Sequence, residues 1–195
     1  MSKHIYLASR SPRRAELLQQ MGIDFDVLPS DIDESILLNE SPEVYVMRLA
    51  ASKAAVGLAN MQKTNLQQRP ILAADTTVCV DGVILGKPEN DEDARAMLQC
   101  LSARWHEVHT ALALVSIAGI ETVLSTTHVE LAPLSDEVIA VYIASGEPRD
   151  KAGAYGIQGL AGTFIKRIEG SYSGVMGLPI FEAAQLLRNA GIVVP

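Results

Sequence analysis

The sequence predicts an α/β protein built on a mixed central sheet with flanking helices. Three observations predict it. Strand-like apolar runs and helical stretches alternate along most of the chain, which points to layered α/β packing. Two hairpins interrupt that alternation, one turning at Asp81-Gly82 and one at Ala118-Gly119, so the sheet is not purely parallel. The chain has 195 residues, 48% of them hydrophobic, enough to bury a sizeable core as one unit spanning 1–195, with two lobes whose boundary is not readable.

Each element follows from local signals. Ile5, Tyr6 and Leu7 form a short apolar run suited to a buried strand. Ser11 is an N-cap residue and Pro12 fits the first helical position; Leu17, Leu18 and Met21 repeat at helical spacing, and Gly22 ends the helix. "DFDVLPSDIDES" reads as a strand running into an acidic loop. Ser41 and Pro42 open a second helix, which runs to about Met61 before a polar connector. "PILAADTTVCVDGVILGKP" is a hairpin and "NDEDARAMLQCLS" a capped helix. Two long strands follow in "WHEVHTALALVSIAGIETVLSTTHVEL". Ser135 caps a helix through about Ala144, and a Gly-rich loop leads to a strand around "TFIKRI". "GSYSGVMGLP" receives no element, and the last helix runs from Pro179 to Asn189, closed by Gly191.

The net charge of −7 argues against general binding to nucleic acid or anionic membranes, which wants a basic surface. Clusters of Arg and Lys therefore stand out. No apolar run reaches the roughly 20 residues of a transmembrane helix, and the apolar stretch in "MSKHIYLASRS" is too short for a signal peptide. Cys79 and Cys100 give no disulfide framework and read as buried reduced thiols. Together these features predict a cytoplasmic protein.

Arg13 and Arg14 fall in the first turn of the first helix, the wrong sign for its dipole. A strand end, a Ser-rich turn with Ser9 and a helix N-terminus make an anion cradle, and a bound polyanion would reverse the cost; solvent-facing guanidiniums are the plainer reading. Lys53 shares a helix face with Val46, Leu49, Ala50 and Gly57, so it either snorkels at a core edge or looks into a polar cleft. Asp75 ends an apolar run, where a sheet holds a carboxylate rigidly for metal or catalytic work, or where it caps a turn. Glu34, with Asp31 and Asp33, offers oxygen ligands for a hard divalent cation or a solvated acidic loop.

Several near misses are excluded. "GVILGKP" has three residues between its glycines and Pro88 after Lys87, so it is no P-loop, although Lys87 remains a mobile cation after a hairpin. His106 and His109 of "HEVH" face opposite sides of a strand, so the near miss for a zincin is rejected and zinc with it. "GSYSG" has Tyr172 where a nucleophile elbow needs Ser. In "KAGAYGIQG" the glycines let backbone approach a ligand, and the Gln158 amide suits the edge of a pyrimidine carrying C=O and N–H, or else it belongs to a surface loop.

Taken together, "LASRSPRRAELL", "DESI", "YVMRLAASKA", "AADTTV", "GKP", "SGEPRDKAGAYGIQG" and "GSYSGVMGLP" resemble the Maf family of nucleoside triphosphate pyrophosphatases, in the family's order and over nearly the whole chain. The resemblance implies an inosine triphosphatase-like mixed α/β fold with two lobes around a cationic nucleotide cleft, and in many members a homodimer. It implies hydrolysis between the α and β phosphates with a divalent metal, Mg²⁺ or Mn²⁺. By resemblance Ser9, Arg13, Arg14, Lys53 and Lys87 bind phosphates, Glu34 and Asp75 hold the metal, and Asp75 is the general base. Arg13, Thr76 and Gln158 match the branch that cleaves dTTP and UTP. Two alternatives stay open at this stage. One is a nucleotide-binding regulator with little turnover, septum-related as some family members are, which would keep the Arg and Lys clamp and not need Asp75. The other is a pyrophosphatase for non-canonical purine triphosphates.

Overall fold

The computed structural model describes residues 4–194; residues 1–3 and 195, the ends of the 1–195 unit expected from the sequence and the start of the segment weighed as a signal peptide, lie outside the described residues. The order is β1 (His4–Leu7), α1 (Pro12–Gln20), β2 (Asp24–Val27), α2 (Pro42–Lys63), β3 (Ile71–Val80), β4 (Val83–Leu85), α3 (Asp91–Leu101), β5 (Trp105–Ser116), β6 (Gly119–Leu131), α4 (Asp136–Ala144), β7 (Ile165–Glu169), α5 (Tyr172–Met176) and α6 (Ile180–Asn189). The strands form one mixed sheet in the order β2-β1-β3-β5-β6-β7, with β4 also paired to β3. β1 runs parallel to β2 and β3, and every other pairing is antiparallel. The mixed α/β sheet with flanking helices is thus the architecture observed.

The hairpin at Asp81-Gly82 has positive φ at both turn residues, 53° and 76°, as a two-residue turn matched to strand twist requires. Ser41 and Ser135 accept the capping bonds expected of them, from Val44 N–H and Val138 N–H. α2 continues to Lys63, slightly past the expected end. β7 begins at Ile165 because the chain from Leu160 to Phe164 closes into a 3₁₀ turn. The unassigned "GSYSGVMGLP" contains α5, five residues capped by the Ser171 hydroxyl on Gly174 N–H. The expectation for the cysteines holds for Cys79 and fails for Cys100, which is exposed. Cys100 lies on the solvent side of α3, whose buried face is Ala94, Leu98 and Leu101.

Side chains alternate across the sheet. On one face Ile71, Ala73, Ala111, Ala113 and Val115 pack against Val46, Ala50 and Ala54 of α2. The other face carries two apolar groups. Leu72, Ala74, Leu112 and Leu114 pack with residues of α1 and α6. Val78, Val80, Val108, Val129 and Leu131 pack with residues of α3 and α4. Between them on β3 and β5 stand Thr76 and Thr110, whose hydroxyls are 3.0 Å apart. A polar layer therefore divides one face of a continuous sheet into two packed regions.

Candidate active site

Sheet topology opens the site. Along one edge of β3, β1 pairs with Ile71 and Leu72, and β4 pairs with Val78, Cys79 and Val80. Neither reaches positions 73–77 on that edge. The carboxyl end of β1 diverges there, and a cleft of about 660 Å³ opens over the gap. This is where an open α/β sheet places ligands: at strand ends where connections part to opposite sides. Ser9, Arg13, Arg14, Glu34, Lys53, Asp75, Thr76, Lys87 and Gln158 all line it. They come from six separate stretches of chain.

The β1–α1 turn supplies the cationic wall. Pro12 occupies the first helical position, and Ser11 has the extended backbone of an N-cap, but its side chain makes no capping bond. The first-turn amides are thus left to whatever enters the cleft. Arg14 is anchored from three directions: its Nε donates to Gly177 O at 2.9 Å, its Nη1 to Ser9 Oγ at 3.2 Å and its Nη2 to Thr76 Oγ1 at 3.2 Å. Burial lowers the Arg14 pKa from its ordinary value, with the Asp75 carboxylate opposing that effect. Thr110 extends the network by donating to Gly174 O at 2.7 Å. Arg13 reaches across the cleft to Asp150, 3.0 Å away.

The opposite wall carries the carboxylates. Lys53 Nζ lies 2.5 Å from Asp75 Oδ1 and 2.6 Å from Glu34 Oε1. Its side chain is 12% exposed, so the snorkelling alternative is set aside: the ammonium points into the cleft. Burial pushes the Glu34 carboxyl up, but the Lys53 bond and the charges of Lys53, Lys87 and Arg14 outweigh it and leave Glu34 below its ordinary value. Tyr45 donates its hydroxyl to Glu34 O at 3.0 Å, which fixes the loop backbone; burial and the nearby Asp75 and Glu34 charges push the phenol up to about 12. The rest of the acidic loop is used otherwise. Asp31 pairs with Arg10 at 3.0 Å, and Asp33 accepts from Ser35 N–H at 2.9 Å.

Sequence reasoning missed Lys151 and Asp150. Lys151 lines the cleft with its side chain largely buried, paired to Asp150, which also holds Arg13. The signal was present as a lone Lys inside a Gly-rich loop. Lys87 and Gln158 line the cleft with exposed side chains. Glu34 and Asp75 accept from a single ammonium, so both carboxylates converge on one point. That point is held by the Lys53 ammonium, and the second oxygens, Oε2 of Glu34 and Oδ2 of Asp75, are the hard donors that fit a divalent cation such as Mg²⁺ or Mn²⁺.

Comparisons with known proteins place the chain in a family. The family model described as Maf-like protein matches residues 4–190. A protein of Methylobacillus flagellatus named dTTP/UTP pyrophosphatase is 64% identical over 191 residues, covering 98% of this chain and 94% of that protein. Proteins of the same name from Bordetella avium and Ralstonia nicotianae are 52% and 50% identical, each over 98% of this chain and 97% and 96% of their own lengths. Among solved structures, the Staphylococcus aureus Ham1 protein is similar at a TM-score of 0.46 and 15% identity, over 66% of this chain and 72% of that chain. The chain belongs to the Maf-like protein family.

Proposed function

We propose that this chain hydrolyses dTTP and UTP to the nucleoside monophosphate and pyrophosphate. The observation that carries the reading is the meeting of Arg13, Arg14, Lys53, Lys87 and Lys151 with the Asp75 and Glu34 carboxylates in one cleft. The relatives' names support the choice of substrate. Six cations line the cleft against four carboxylates, and the excess positive charge with the amides of the first turn of α1 suits a triphosphate. Asp75 takes the proton of a water that attacks the α-phosphorus. The bond from that phosphorus to the oxygen bridging the β-phosphorus breaks, and pyrophosphate leaves. Lys53 has three donors, so it serves both carboxylates and a phosphate oxygen together. Glu34 and Asp75 would hold Mg²⁺ or Mn²⁺, which when bound neutralises phosphate charge and acidifies water. Rate enhancement comes from positioning and electrostatics, as in other phosphoryl chemistry. The two carboxylates, the arginines and Gln158 are far apart along the chain, which supports reading 1–195 as a single unit.

Gln158, with Arg13 and Thr76, sets the base. Its amide donates to a ring C=O and accepts from the ring N–H of uracil or thymine. Cytosine presents the opposite pattern, which the exposed amide meets only by turning over, so a preference for uracil and thymine requires the bound nucleotide to fix that amide's orientation. The 5-methyl group of thymine adds only apolar contact, about 1 kcal/mol. The test is kcat/KM for UTP, dTTP, CTP, GTP, ITP and 7-methyl-GTP, followed as pyrophosphate release. UTP and dTTP lead the series, and Gln158→Glu lowers both selectively. A lead for ITP would favour the non-canonical purine reading. Stoichiometric binding without turnover would favour the regulator.

A further inference from the structure

A second group of metal-binding side chains stands on the α2 face of the sheet, beyond the cleft. Along β3 the residues Asp75, Thr77 and Cys79 point to that face, so Cys79 lies about 13 Å past Asp75 at ~3.3 Å per residue. Glu107 and His109 of β5 share the face, opposite Cys79 and Thr77 in the antiparallel register. Thr126 and His128 of β6 stand beside them in turn. Cys79 Sγ is 3.6 Å from Glu107 Oε2, and His109 Nε2 is 3.7 Å from the same oxygen. The three ligand atoms lie within 4.8 Å of one another. Cys79, Glu107 and His109 do not line the cleft.

The buried imidazole leaves one nitrogen unpartnered on the side of the other two groups. His109 is buried, and its Nδ1 is bonded to Thr126 Oγ1 at 2.9 Å. Its Nε2, aimed at Glu107 and Cys79, is shielded from solvent and has no hydrogen-bond partner. An Nδ1–H donated to Thr126 leaves a lone pair on Nε2 directed into the group. Burial, reinforced by the Glu107 carboxylate, pushes the Cys79 thiol up to about 12. A metal ion reverses that preference by binding the thiolate. Glu43, at the start of α2, adds a further negative charge that raises the Cys79 thiol.

We propose that Cys79, Glu107 and His109 form a tetrahedral site for a borderline-soft divalent cation of the zinc class. Bonds of about 2.0–2.3 Å to sulfur, nitrogen and oxygen give tetrahedral edges of ~3.3–3.8 Å, which the two separations above match. A thiolate and an imidazole select zinc over magnesium. Thr126 orients the imidazole. His128, whose Nε2 is 3.2 Å from Glu107 Oε1, orients the carboxylate from the half-exposed side, where solvent completes the coordination. The site is separate from the Glu34 and Asp75 pair in position and in ligand type.

Titration of the metal-stripped protein with Co²⁺, read by absorption, tests this. One equivalent per chain should raise a thiolate-to-cobalt charge-transfer band that Zn²⁺ removes and excess Mg²⁺ leaves in place. Cys79→Ser should lose the band, Cys100→Ser and Asp75→Asn should keep it, and Glu107→Gln should weaken binding. Thr126→Val, which keeps every ligand, should lower Zn²⁺ affinity by about 10–100-fold. That variant carries the test if Cys79→Ser does not fold. No such band in the wild-type protein, or a band that follows Cys100, overturns the proposal.

Discussion

Lys53 shows how much one side chain decides. Its ammonium is shared between Glu34 and Asp75, 2.6 and 2.5 Å away, in a place where a carboxylate pair alone would repel. Asp75 is 7% exposed, so its position is set by β3 and by that bond. Asp75→Asn keeps the shape and removes the proposed proton acceptor. Loss of a general base lowers kcat by about 10²–10⁴-fold, while nucleotide binding, measured by calorimetry, survives. Near wild-type turnover in that variant would contradict the assignment. His106 is a residue of another kind. It is buried on the opposite face, its Nε2 2.7 Å from the Tyr155 hydroxyl, and burial lowers its pKa from 6.5 to about 4. Between those two values the unfolded chain binds more protons than the folded one. Stability therefore falls as pH drops through that window, by up to ~3 kcal/mol from this group. Urea midpoints at pH 7 and pH 5 should separate for the wild type and converge for His106→Gln; an identical pH dependence in the two proteins would count against it.

At the scale of elements, the start of α1 and the Gly-rich loop face each other across the cleft. α1 carries Arg13 and Arg14 in its first turn and has no acidic residue there. Each such cation costs the helix roughly 0.3–1 kcal/mol, a local penalty that makes sense beside an anion site. The loop from Glu147 to Phe164 is three short 3₁₀ turns, and Gly153 locks it to the sheet. Its φ is +66°, its N–H donates to Gly86 O at 3.0 Å, and a Cβ there would come within 2.8 Å of Val78 Cγ1. Gly153→Ala therefore combines left-handed strain with a clash in a packed core, at a cost of about 1–3 kcal/mol. The expected result is a lower Tm and a raised KM, since Lys151 and Gln158 ride on that loop. Thermal melts and UTP kinetics check both, and an unchanged Tm would mean that the loop yields freely.

The whole molecule sets its cleft against an acidic background. With a net charge of −7, approach of a triphosphate depends on local focusing by Arg13, Lys87 and Lys151 at the cleft. Raising ionic strength from 0.05 M to 0.5 M, which shortens the screening length to well below about 10 Å, should lower kcat/KM and leave kcat nearly unchanged. Stopped-flow or initial-rate measurements over that range decide it; a salt-independent kcat/KM would place the cations away from the encounter.

The sequence by itself determined what depends on near neighbours. Ser41-Pro42 and Ser135 begin helices, Asp81-Gly82 turns a hairpin, and the apolar runs pair into a mixed sheet, because capping, turn chemistry and periodicity act within a few residues. It also offered candidate site residues, through motifs whose order along the chain resembles one family, and those candidates line one cleft. Only the tertiary structure decided how those residues are used. Lys53 meets a carboxylate 22 positions away, Arg14 a carbonyl 163 away and Arg13 a carboxylate 137 away, and no local preference encodes such meetings. α5 was illegible because five residues that include a glycine have little helical preference of their own; the Ser171 cap and the bond from Thr110 to Gly174 O hold it. Cys79 and His109 likewise gave no joint signal, being 30 positions apart and brought onto one face only by the register of β3 against β5. That register, not any stretch of sequence, decides which groups share a face and therefore what chemistry they can share.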